Sequence, residues 1–149
     1  MARGYGLGDA MKLSRIWLFT FCVAVTSLVR AAGYVIQSPG QMPVYVNPVP
    51  GEGYATMSPG QAPTYTTPTP GGGYVIQTPG HLPLYANPMP RGGYTVNRPG
   101  ELPTTINPVP GGGYTINTPG HLPTFETPSP GGDVTVMTPG QLPTYITLQ

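Results

Sequence analysis

The chain is expected to be a non-globular tandem repeat, with residues 32–149 mostly disordered or polyproline-II and punctuated by Pro-Gly turns and short β-strand segments. Three observations lead there. A 20-residue unit recurs six times without insertion or deletion, beginning at Gly33, Gly53, Gly73, Gly93, Gly113 and Asp133, the last copy stopping at Gln149. All 22 prolines and all but three of the 22 glycines fall in this part, over a third of its residues, above the roughly 25–30% typical of low-complexity chains. Each unit also carries too little apolar surface to offset the conformational entropy of ordering itself alone. A weakly paired all-β meander and a β-solenoid of stacked 20-residue coils are the alternatives. Four prolines per unit and the scarcity of polar caps on the end copies weigh against the solenoid.

Within a unit, the first run, such as Tyr114-Thr115-Ile116-Asn117, is β-branched and aromatic and reads as a four- or five-residue strand. Pro119-Gly120 follows and suits the two central positions of a type II turn, proline setting φ at the first and glycine supplying a positive φ at the second. Type II turns splay the strands they join, so the pair signals a reversal better than a tight hairpin. The second run, Leu142-Pro143-Thr144-Tyr145-Ile146-Thr147 in the last copy, contains a proline that removes a ladder donor, which predicts an edge strand and excludes a central one. Asn107-Pro108-Val109-Pro110 with Gly111-Gly112-Gly113 joins a polyproline-II stretch to a flexible glycine joint.

Residues 1–31 read as an export address, an expected helical signal segment. Lys12 and Arg15 precede an uncharged, mostly apolar run from Ile16 to Val29, and Val29 and Ala31 suit cleavage between Ala31 and Ala32. An uncleaved anchor is the competing reading, and Met11 offers an alternative start. The run falls short of the ~20 residues that span a bilayer comfortably. The one cysteine, Cys22, lies inside it, so a processed chain has no disulfide framework. The expected location is secreted or cell-envelope.

Six charges mark residues 32–149: Arg91 and Arg98 against Glu52, Glu101, Glu126 and Asp133. This balance argues against a nucleic-acid partner. Two histidines and scattered carboxylates on flexible backbone offer no preorganised catalytic constellation, so an enzyme and a cofactor are not expected. His81 and His121 occupy one repeat position with Glu101 between them, but Gln41, Gln61 and Gln141 fill it elsewhere, which reads as a tolerant polar turn site and not a metal centre.

Aromatic residues recur at two positions and are the candidate contact residues: Tyr34, Tyr54, Tyr74, Tyr94 and Tyr114, then Tyr45, Tyr65, Tyr85, Phe125 and Tyr145. Evenly spaced aromatics offer large contact area at small rotamer cost, which suits multivalent weak adhesion; local hydrophobic clusters would use them equally well. The functional expectation is an exported structural or surface-associated repeat, an extended spacer or multivalent adhesion chain. The alternative is a repeat binding module with a defined partner face. A cell-surface or matrix polymer or self-association would be the partner, with membrane contact only through an uncleaved signal segment.

Val49-Pro50-Gly51-Glu52-Gly53 and Val109-Pro110-Gly111-Gly112-Gly113 resemble the VPGxG unit of elastin-like proteins. The likeness covers five residues in each of two copies and implies shared chain mechanics only.

Overall fold

The computed structural model describes residues 33–51 and 53–148, and over them the repeats form an ordered, closed β-barrel. Each unit supplies two strands. They are β1 (Tyr34–Gln37), β2 (Val44–Val49), β3 (Gly53–Met57), β4 (Thr64–Pro68), β5 (Tyr74–Gln77), β6 (Leu84–Pro88), β7 (Tyr94–Asn97), β8 (Thr104–Pro108), β9 (Tyr114–Asn117), β10 (Thr124–Pro128), β11 (Val134–Met137) and β12 (Thr144–Leu148). Every neighbour in sequence is an antiparallel neighbour in space, and β12 returns to pair with β1.

The expected disorder and polyproline-II character are therefore corrected, as are the open meander and the stacked solenoid. Judging a unit by its own apolar area omits what closure supplies. Each hairpin gains a hydrogen-bonded partner on both sides, and no edge strand is left to cap. The prolines fit because they stand at strand margins. Pro143 precedes β12, and Pro48, Pro68, Pro88, Pro108 and Pro128 lie at or next to strand ends, where a missing N–H is least costly. The second run is consequently a central strand in every unit, against the edge position expected of it.

The Pro-Gly turns form as read. The Gln41 N–H donates to the Ser38 carbonyl at 3.1 Å, with Gly40 at φ +74°, and the same bond recurs from His121 to Thr118 at 3.0 Å. The splay of a type II turn is absorbed because residues 38–43, not two residues alone, join β1 to β2. At the opposite rim the P-x-P-G-G segments close the reversals, as where the Thr69 N–H donates to the Gly73 carbonyl at 2.8 Å. One rim thus carries all the Pro-Gly turns and the other all the glycine-rich loops.

Register makes the barrel rotationally regular. Tyr45 stands opposite Met57, Tyr65 opposite Gln77 and Phe125 opposite Met137 at the first, second and fifth junctions between units. The closing junction repeats that register, with Tyr145 opposite Gln37. The six units are therefore related by an approximate six-fold rotation. Each hairpin advances the ladder by two residues, so the shear equals the number of strands, which corresponds to a strand tilt of about 36°.

Because the repeat length is even, strand alternation keeps even-numbered positions facing the interior throughout. Ile36, Ile76, Ile106, Val136 and Ile146 are buried there. The apolar interior divides into two clusters, one drawn from the first, second and sixth units around Ile36, Val46 and Ile146, the other from the third to fifth around Ile76, Leu84 and Ile106. Buried Thr56, Thr64 and Thr66 of the second unit and Thr124 and Glu126 of the fifth lie half a turn apart.

Residues 1–32, including Cys22 and the cleavage residues Ala31 and Ala32, lie outside the described residues. Among the described residues no helix is long and apolar enough to cross a membrane.

Candidate binding face

Sequence treats the two aromatic columns alike, and the barrel separates them. Tyr34, Tyr54, Tyr74, Tyr94 and Tyr114 occupy inward positions near the glycine-loop rim. Tyr34 and Tyr54 are buried and the others half-buried. The rings of Tyr74 and Tyr94 tilt against one another with centroids 5.9 Å apart. Burial raises the pKa of Tyr34, with Tyr54 adding to the effect; burial also raises that of Tyr94, reinforced by Tyr74 and Tyr114. Tyr34 and Tyr54 belong to one buried apolar cluster, and Tyr74, Tyr94 and Tyr114 pack against the other.

Tyr45, Tyr65, Tyr85, Phe125 and Tyr145 point outward, each between 41% and 50% exposed. They form a belt around the barrel in the half next to the Pro-Gly turns, interrupted by Thr105 in the fourth unit. Amide or thioether side chains stand opposite them: Gln77 beside Tyr65, Asn97 beside Tyr85, Met137 beside Phe125.

Beyond the belt, on the Pro-Gly rim itself, lies a second ring that sequence reasoning did not single out. Met42, Leu82, Leu102, Leu122 and Leu142 occupy one repeat position and are 61–73% exposed, with Ala62 completing the six. The sequence signal is the x-L-P that follows four of the six Pro-Gly pairs, with Met42 and Ala62 at the leucine position in the other two, and its adjoining strand-like run masks it. It precedes the strand and projects from the rim.

The polar rim positions do not converge. His81, Glu101 and His121 sit in separate units around the ring, and Glu101 pairs with Arg98 at 3.0 Å on the surface. Among the described residues no group of three His, Cys, Asp or Glu could hold a metal ion. Among the described residues one carboxyl, Glu126, is buried in the interior, only 3% exposed and with Oε1 unpartnered. Its neighbours across the ladder are Tyr114 and Val136, and burial pushes its pKa up to about 8. Comparison with protein-family models, with curated proteins and with solved structures gave no match.

Proposed function

We propose that the barrel is a non-catalytic, exported, surface-associated binding module that holds its target through repeated equivalent contacts. The observation that carries this reading is the outward belt of Tyr45, Tyr65, Tyr85, Phe125 and Tyr145, presented at fixed intervals by a rigid scaffold while the other aromatic column is spent on the core. A closed barrel has a fixed length, so in this reading the repeats serve as a contact surface and not as an extended spacer. Multivalency survives in a different form: contacts too weak to hold singly act together when their spacing is preset and little ordering entropy remains to be lost.

The test is retention on insoluble polysaccharide and on phosphatidylcholine vesicles as Tyr65, Tyr85, Phe125 and Tyr145 are changed to Ser one after another. Retention on the surface that binds falls more steeply than in proportion to the aromatics removed. Equal retention of the parent and the fourfold variant on both materials would refute the reading.

A further inference from the structure

Building on the binding-module reading, we propose that the Pro-Gly rim seats on the interface of a lipid bilayer. Met42, Leu82, Leu102, Leu122 and Leu142 enter the boundary between headgroups and acyl chains, and the aromatic belt lies at headgroup level.

The first argument is asymmetry. Every exposed large apolar side chain among the described residues lies in the Pro-Gly half: the five rim residues, the five belt aromatics, and Met57 and Met137 at strand ends beside the turns. Surfaces this apolar on a folded chain mark docking sites.

The second is shape. Six-fold equivalence puts the rim side chains at one height. With strands ~4.8 Å apart and tilted by about 36°, neighbouring rim positions are about 12 Å apart. At that spacing they cannot bury one another, and a single protein groove would take one or two. A flat, laterally continuous apolar phase takes all of them at once.

Depth agrees. Leu142 and Tyr145 are three residues apart, at most about 8 Å of height at the rise and tilt of the strands. Interfacial elements bury their apolar face by about 5–10 Å, and tyrosine favours the headgroup level. The strands of four to six residues fall well short of the ~9–11 of a membrane-spanning strand, so the barrel rests on the bilayer.

Charge and chain path complete the case. On the rim Arg98 and Glu101 neutralise each other, so attachment needs no anionic lipid. β1 begins and β12 ends at the glycine-loop rim, where Tyr34 pairs with Leu148. Gly33, where the described residues begin, therefore lies at the end of the barrel away from the Pro-Gly rim.

The experiment uses the full chain with its lone tryptophan removed by Trp17→Phe, and a reporter placed by Leu142→Trp on the proposed rim or by Arg91→Trp on the opposite one. With phosphatidylcholine vesicles, emission of the Leu142→Trp protein shifts to the blue and that of the Arg91→Trp protein does not. Combining Leu82→Ser, Leu102→Ser and Leu122→Ser weakens vesicle co-sedimentation at least about tenfold with unchanged β-sheet circular dichroism. The proposal is overturned if the Leu142→Trp emission stays put, if Arg91→Trp reports instead, or if the triple variant binds as the parent does. It is also overturned if the triple substitution dissolves a dimer present without vesicles, since the rim would then serve a second copy. Aromatic-dependent retention on polysaccharide alongside any of these outcomes would leave the binding-module reading standing and remove the lipid one.

Discussion

The Ser38 hydroxyl lies 2.8 Å from Thr144 Oγ1, and this bond across the closing seam of the barrel is the rotational counterpart of Thr64–Thr78 and Thr124–Thr138, each 2.9 Å, at internal seams. A fourth, Thr104–Thr118, measures 3.2 Å. In the first unit Val44 takes the threonine position, so valine fits there sterically. Thr144→Val therefore deletes the hydrogen bond with little change of shape and leaves the part-buried Ser38 hydroxyl without this partner. It should cost about 1 kcal/mol in urea unfolding, and Thr124→Val should cost about the same. A much larger loss for Thr144→Val alone would mean that closure is held differently from the three internal seams that carry the same bond.

Equivalence of the seams also makes the position of the chain ends arbitrary. Leu148 stands opposite Tyr34 as Pro68 stands opposite Tyr74, and four residues, Thr69 to Gly72, bridge that internal gap before Gly73. A circular permutant that joins Leu148 to Gly33 through Thr-Pro-Gly-Gly and opens between Gly92 and Gly93 should keep a single cooperative melt, within about 1–2 kcal/mol of the parent barrel. Loss of the cooperative transition in the permutant would show that the original ends carry structure the repeat does not.

Strand positions and Pro-Gly turns were legible in the residues because both are local. Tyr114 to Asn117 has a strand's composition, and Pro119-Gly120 has only one easy conformation. Closure was not legible, since it depends on how β12 meets β1, 106 residues apart at the Ser38–Thr144 bond. The partition of the aromatics was closer to hand. Tyr34 and Tyr45 are separated by an odd number, so any hairpin that sets Tyr34 opposite Val46 turns them to opposite faces. The rim leucines were obscured by their prolines, which drew Leu142-Pro143 into the strand reading although the strand starts at Thr144.

Two glycines distinguish a local conformational need from close packing. Gly40 lies in a Pro-Gly turn at φ +74° with open space where a Cβ would stand, so Gly40→Ala meets only the backbone penalty, about 1–2 kcal/mol. Gly113 has φ +112°, and a Cβ there would run into the Glu126 carbonyl oxygen, with Pro128 Cδ at 3.1 Å. Gly113→Ala should therefore be the more damaging by at least about 2 kcal/mol, because relief requires β9 and β10 to separate. Thermal melts of the two variants decide it; equal destabilisation would refute the close approach.

Glu126 should make the barrel less stable as pH rises. Its repeat counterparts are Val46, Thr66, Ala86, Ile106 and Ile146, so a carboxyl stands where the other units place small or apolar groups. Burial raises its pKa from the ordinary 4.5 to about 8, so between those values the folded chain keeps the proton and the unfolded chain releases it. Unfolding is then favoured by loss of a proton, and stability falls with pH by up to about 1.4 kcal/mol per unit, roughly 4–5 kcal/mol across the window. Below pH 4.5 both states hold the proton, and above 8 both have lost it, so the contribution levels off at each end. Glu126→Gln removes the ionisation and should abolish this slope, leaving the melting temperature nearly constant from pH 5 to 8. Glu126→Ile, which copies Ile106 and Ile146, should raise stability most at the alkaline end. A parent protein whose stability is flat or rises from pH 5 to 8, measured against Glu126→Gln in the same buffers, would place the carboxyl in a wetter or better-paired site than its 3% exposure and unpartnered Oε1 describe.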